Sequence, residues 1–196
     1  MTLGEDAYAE QPALQWLGDL GWEVEHGPDL GPDGSASERE RWRDVVLVDR
    51  LRSAVIGLNP DLPADAVEYV VQQVLTTSSP NVIEDHSDFH RLLIDRVAVS
   101  YIDREGVGRD ARAKLIDFEQ PDRNDFLALN QFTVIVGGKN RRPDVLLFVN
   151  GIPLGQVELK NPTDGSATPE AAAVQVAHYA ETIPPLYRFV EIVGVS

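Results

Sequence analysis

The chain has 196 residues, enough for one domain with a substantial core or two small ones. It contains no cysteine, which excludes disulfides and any thiolate zinc site, and no apolar run near the ~20 residues that a membrane helix requires. The net charge of −15 argues against strong unaided binding to nucleic acid, and the acidic start MTLGEDAYAE is unlike a signal peptide, so a soluble, cytoplasmic protein is expected.

A first helix is expected from about Glu5 to Leu20, where Leu14, Leu17 and Leu20 recur at helical spacing and Gly21 ends the run. A short strand over Trp22 to Glu25 leads into GPDLGPDGSAS, which reads as a surface loop. Ser37 and Glu40 form a capping-box pattern. They predict a second helix from Ser37 to about Leu58, with Trp42, Val45, Val46, Val48, Leu51, Val55 and Ile56 on a broad apolar face. A third helix has Pro63 in its first turn and Val67, Val70, Val71 and Val74 on one side, and a fourth runs roughly from Val82 to Asp95.

From Val97 the pattern changes to alternation. VAVSYID, a charged glycine-containing turn and RAKLIDFE predict a hairpin. FLALNQFTVIV, two strands joined by Asn150-Gly151, a helix from about Pro169 to Thr182 capped by Thr168, and a last strand in RFVEIVGV complete an α+β order. Residues 1–95 are therefore expected to be mainly helical and residues 96–196 to form a sheet-based core, within one domain. No internal repeat and no Walker A pattern occurs, so the chain carries no ATPase motor.

The chemistry concentrates in RRPDVLLFVNGIPLGQVELKNP, residues Arg141 to Pro162. It places Asp144 on one strand and Glu158 and Lys160 on the next. Two acids of this kind hold a divalent cation against charge developing on a phosphate, and the ammonium orients or helps deprotonate the attacking water. Glu158 and Lys160, two apart on a strand, point the same way. Asp144 joins them only under a condition. With a simple two-residue loop, Val149 faces Ile152, Asp144 faces Val157, and the acids point to opposite faces. A three-residue connection with Gly151 left-handed, or a bulge at Pro153 or Gly155, shifts the register by one and brings Asp144 across from Glu158.

Taken alone, a Pro-Asp followed by Glu-x-Lys is a loose pattern, equally readable as a turn and a surface ion pair on an edge strand. The apolar residues around it (LLFV, IPLGQV) suggest buried strands, where charges are costly unless they pair or bind a metal. Downstream, Gln175 and Tyr179 are four apart on the predicted helix and share a face, whereas His178 points off it. His86 and His90, with Glu84 nearby, are a weaker metal pattern, and His90 reads better as a packing residue.

The charge is uneven. Residues 1–40 carry ten acids and one base, net −9, leaving net −6 for the other 156 residues. Lys139, Arg141 and Arg142 cluster near Asp144 and are candidates for DNA contact; Arg104, Arg109, Arg112 and Lys114 decorate the preceding hairpin.

Five stretches, ERERWRDVVLVDRLRSAVIGLNP, FHRLL, LIDFEQPDRNDFLALNQFTV, NRRPDVLLFVNGIPLGQVELKNP and QVAHYAETIPPLYRF, carry a resemblance over essentially the whole chain. The chain resembles the N-terminal nuclease region of the R (restriction) subunit of type I restriction-modification enzymes. The resemblance implies a PD-(D/E)xK restriction-endonuclease-like fold, a mixed central sheet flanked by helices. It implies Asp144, Glu158 and Lys160 as the catalytic triad, Mg²⁺ as cofactor, and the backbone carbonyl of Leu159 as a further metal ligand. Gln175 and Tyr179 match the family's QxxxY motif, associated with DNA contact and nuclease function. An acid from an early helix often helps at the metal in this fold, and Glu40 is the candidate, Glu38 a weaker one.

R subunits of this family continue into a two-lobed ATP-dependent translocase, so ATP belongs to the full-length subunit, and this chain reads as an excised domain without its motor. The resemblance implies a prokaryotic, cytoplasmic enzyme that cuts double-stranded DNA non-specifically, with methyltransferase and specificity subunits and its own motor domains as partners. An alternative from a different class is a non-catalytic docking or control module coupling the motor to DNA, which the acidic first forty residues suit. A junction resolvase of the same fold is a third reading that lacks the string match.

Overall fold

A computed structural model describes residues 7–159 and 169–195, with side chains from Glu10 in the first segment and from Val174 in the second. Lys160 and Thr168 lie outside the described residues. The chain forms two compact units. One draws on residues up to Val45, Phe126–Phe148 and from Pro153 onward; the other comprises Val46–Asp125 and Val149–Ile152.

The first unit is built on a five-stranded mixed sheet. Strand β1 (Glu23–His26) is parallel to β4 (Phe126–Asn130), and β8 (Ile152–Glu158) is parallel to β9 (Ile192–Val195). Strand β7 (Val145–Val149) lies between β4 and β8 in the order β1-β4-β7-β8-β9. It runs antiparallel to both: Gln131 N–H donates to the Asp144 carbonyl at one end, and Asn150 N–H to that of Asp125 at the other. Helix α1 (Ala7–Asp19) lays Leu14 and Leu17 on Ala128 and Val145, bordered by Trp22, Leu147, Val157 and Leu159. The opposite-parity residues Leu127, Leu129, Leu146 and Phe148 are buried on the other face, where the Phe132 and Phe148 rings lie 5.4 Å apart. This is the alternation a sheet covered on both faces requires.

Three elements differ from the sequence expectation. The apolar run FLALNQFTVIV is two strands, because Gln131 adopts φ 53° and turns the chain. Its second part, β5 (Val134–Val136), pairs with β6 (Lys139–Arg141) across Gly137-Gly138, whose φ values of 56° and 76° are open to glycine. The helix expected from Ser37 begins only at Val48. Instead of capping, the Ser37 hydroxyl donates to the Arg39 carbonyl, and an Asp44 carboxylate oxygen accepts from the Arg41 N–H. Arg39 is buried between its bonds to the carbonyls of Asp44 and Thr133, with its guanidinium 3.7 Å from the Phe132 ring centroid. Local side-chain bonds and a buried cation thus hold this segment out of helix. Within RFVEIVGV only Ile192–Val195 is strand, following α6 (Pro184–Tyr187).

The second unit packs α2 (Val48–Leu58), α3 (Ala64–Leu75) and α4 (Val82–Asp95) with the hairpin of β2 (Val97–Ile102) and β3 (Gly108–Ala113). Leu51, Val55, Val67, Val70, Val71, Val74 and Phe89 are among its buried residues at helical spacing. Asn81 caps α4 by accepting from the Ile83 and Glu84 amides. Helices α2 to α4 thus fold with the β2-β3 hairpin, while α1 and β1 belong with the main sheet.

The tip of the β7-β8 hairpin belongs to this second unit. Asn150 is fully buried and uses every polar group: its side-chain oxygen accepts from the Asp125 N–H, and its amide donates to the Leu115 carbonyl and to Asn124 Oδ1. Asn150 and Gly151 have φ 54° and 77°, the pair of positive values a two-residue type I′ turn demands. A Cβ on Gly151 would lie 2.4 Å from the Leu47 carbonyl oxygen and 2.8 Å from the Leu51 nitrogen, both backbone atoms. Gly151→Ala is therefore expected to cost about 2 to 3 kcal/mol, read as a lower denaturant midpoint at unchanged slope.

Candidate active site

The faces of the β7-β8 hairpin decide whether two acids 14 positions apart can meet. On β7, Val145 and Leu147 face α1, so Asp144, Leu146 and Phe148 face away. On β8, Val157 packs into the α1 cluster, and a Cβ on Gly155 would lie 3.1 Å from the Leu147 Cβ, which leaves Gln156 and Glu158 on the other face. Odd positions of both strands thus share a face, whereas a two-residue turn pairing Val149 with Ile152 would match odd with even. One extra residue is accommodated on β8 between the turn and Gly155. The expected irregularity is present as a slip in β8 beyond a two-residue turn, and it directs Asp144 and Glu158 to one face at one end of the sheet.

Glu158 is 0% exposed. A carboxylate so placed needs donors, and two glutamine amides supply them. Gln156 Nε2 donates to Oε1 at 2.7 Å, and Gln175 Nε2, from α5 (Pro169–Thr182), donates to Oε2 at 2.6 Å. Gln175 also reaches the Tyr179 hydroxyl at 3.0 Å, one helical turn on. Asp144 Oδ2 accepts from the Leu159 N–H at 2.8 Å, which ties the start of β7 to the end of β8. The two acids act on one place. Burial pushes the Tyr179 hydroxyl above its ordinary range, and the charges of both Glu158 and Asp144 push it the same way, opposed by Gln175 and Arg141.

This donor set suits a hard divalent cation. Carboxylate oxygens and a backbone carbonyl are the ligands Mg²⁺ takes, and Mg²⁺ is commonly held by one or two carboxylates with the rest of its shell water. No group of three or more His, Asp or Glu placed to hold a metal occurs among the described residues, so Glu84, His86 and His90 do not assemble into one. Glu40 lies in an exposed bend rather than on a helix, and Glu38 shares that non-helical segment.

Among the basic candidates, Lys139 and Arg142 are exposed, and the Arg141 guanidinium lies 2.7 Å from His178 Nε2, joining β6 to α5. Three residues escaped the sequence reading. Gln156 precedes Glu158 by two on the same strand face, and Tyr187 donates to it across 2.6 Å. Glu10, 7% exposed, is the acid of the first helix that is buried: it accepts from Asn130, which also bonds His26 Nδ1 at 2.9 Å. Its signal was its position, one turn before Leu14 and two before Leu17 on the buried stripe. Nothing in the sequence singled out Tyr187.

A mixed sheet flanked by helices, with an aspartate at the start of one strand and a glutamate at the end of the next, is the PD-(D/E)xK-like nuclease fold. The family described as Type I restriction enzyme R protein N terminus matches residues 2–196, and the chain belongs to it. It is 38% identical over 189 residues to the type I restriction enzyme HindI endonuclease subunit of Haemophilus influenzae, and 34% identical over 197 residues to the putative type I restriction enzyme MjaIXP endonuclease subunit of Methanocaldococcus jannaschii. These alignments cover 95% and 99% of this chain but 18% of each relative, so the chain spans about a fifth of their length. No helix among the described residues is long and apolar enough to cross a membrane.

Burial also pushes the Tyr187 hydroxyl far up, with the Glu158 charge acting in the same direction and the bond to Gln156 opposing. Both phenols are thus neutral in the folded protein beyond the pH near 10 at which they ionise when unfolded. The stability they contribute is fully present below that pH and is lost as pH rises through the folded values. In a phenolate absorbance titration, Tyr187→Phe should remove a component that ionises only above the ordinary tyrosine range.

Proposed function

We propose that this domain is the Mg²⁺-dependent endonuclease of its subunit, hydrolysing phosphodiester bonds of duplex DNA without sequence preference at the cutting step. What supports this most is the placement of the Asp144 and Glu158 carboxylates on one face at one end of the sheet, each accepting hydrogen bonds, in a chain of this family. Asp144, Glu158 and the Leu159 carbonyl would hold the cation. Bound there, Mg²⁺ supplies charge stabilisation at the scissile phosphate and a more acidic water.

The protein's own groups do the positioning. Gln156 and Gln175 hold the Glu158 carboxylate in one orientation, so no reorganisation is needed when substrate arrives. Lys160, two positions beyond Glu158, orients the attacking water and offsets negative charge. Gln175 and Tyr179 present an amide and a neutral hydroxyl beside the acids to place the strand, and Lys139, Arg141 and Arg142 contact its phosphates.

With a net charge of −15, the domain is a poor collector of DNA by itself. The remainder of the subunit would deliver duplex by ATP-driven translocation, with separate methyltransferase and specificity subunits in a prokaryotic cytoplasm.

In the assembled complex, Asp144→Ala, Glu158→Ala or Lys160→Ala should lower plasmid cleavage by at least ~10²-fold while ATP hydrolysis and translocation persist. Cleavage retained in all three would contradict the proposal. Replacing any one of Lys139, Arg141 or Arg142 by alanine should reduce the slope of log affinity for DNA against log salt by about 1.

A further inference from the structure

The two amides on Glu158 are not equivalent. Gln175 comes from a helix and is shared with Tyr179, whereas Gln156 lies on β8 itself, 1% exposed, between the carboxylate and Tyr187 of α6. Their chemistry fixes the direction of this chain of bonds. The Gln156 Nε2 donates to Glu158 and its Oε1 accepts from Tyr187, so the amide turns its NH₂ to the carboxylate and its carbonyl to the phenol. The Tyr187 hydroxyl must then donate. With its carbonyl held at 2.6 Å, the Gln156 side chain cannot flip without leaving two buried acceptors facing each other, and its N–H stays on Glu158 Oε1 at 2.7 Å.

We propose that Tyr187 and Gln156 form a positioning relay, in which the hydroxyl of Tyr187 locks the Gln156 amide and the amide sets the orientation of the Glu158 carboxylate for a divalent cation. This rests on the metal-dependent reading proposed above. Neither residue touches the cation or the substrate. Their effect passes through Glu158 in the way that outer partners of a metal ligand tune affinity, an effect on the order of 10–100-fold. Because α6 follows α5 directly, the relay also fixes the helix that carries Gln175 and Tyr179 relative to the end of β8.

The test is Mn²⁺ binding by calorimetry to the full-length protein, with plasmid cleavage by the complex measured against Mg²⁺ concentration. Tyr187→Phe removes one hydroxyl and keeps the ring. It should weaken Mn²⁺ about tenfold, move the Mg²⁺ requirement for cleavage upward by a similar factor, and leave the rate at saturating Mg²⁺ within about twofold of the parent. Gln156→Met, which keeps length and cannot donate an N–H, should do at least as much. Unchanged Mn²⁺ affinity in both variants, with binding abolished by Glu158→Ala, would overturn the relay and leave the metal site standing. Variants that only lower the thermal midpoint would overturn it equally, since a merely structural contact does not move the metal dependence. Mn²⁺ binding that survives Glu158→Ala would overturn the metal reading itself.

Discussion

The buried carboxylate of Glu158 is the constraint around which the rest of this site is arranged. A carboxylate removed from water is costly unless donors replace its hydration, and here they include residues close in sequence and far from it: Gln156 on the same strand and Gln175 on α5. Each donor then needs fixing. Tyr187 holds Gln156, and Gln175 is shared with the Tyr179 hydroxyl. The need to satisfy one carboxylate thereby specifies how α5 and α6 meet the end of β8.

The hairpin that carries the acids serves both compact units. Its strands lie in the sheet of the first, while its tip, Asn150-Gly151, is bonded within the second through Asp125, Leu115 and Asn124. The tip has no conformational slack, since both residues need positive φ and Gly151 has no room for a side chain. The register slip is therefore taken up in β8 beyond the turn. A strand that is rigid at its tip and irregular in its middle keeps Glu158 and Asp144 in phase at the far end.

Much of this was legible in the sequence where one physical signal dominated. The helical period of Val67, Val70, Val71 and Val74, the alternation from Val97, and the Asn-Gly turn each agreed with the fold. Even the break in hairpin register followed from parity, because Asp144 and Glu158 share a face only if the pairing set by a two-residue turn shifts by one. The segment from Ser37 to Leu47 misled because its apolar spacing and Ser-x-x-Glu pattern are those of a helix. The Asp44 side chain and the buried Arg39 guanidinium, stacked on Phe132 more than ninety positions away, override them. FLALNQFTVIV differs for a related reason: one positive φ at Gln131 divides a largely apolar run. Tyr187 and Glu10 were invisible because their importance comes from what tertiary structure brings beside them, Gln156 in one case and Asn130 in the other.

The central claim is that Asp144 and Glu158 are held as a preformed pair for one divalent cation. Anomalous diffraction from crystals of the protein soaked in Mn²⁺ tests it most directly. The expected result is a peak bound by a carboxylate oxygen from each of Asp144 and Glu158 and by the Leu159 carbonyl, with Gln156 still bonded to Glu158. A Glu158 carboxylate that keeps both glutamine bonds while Mn²⁺ is absent from it, or binds elsewhere, would contradict the claim.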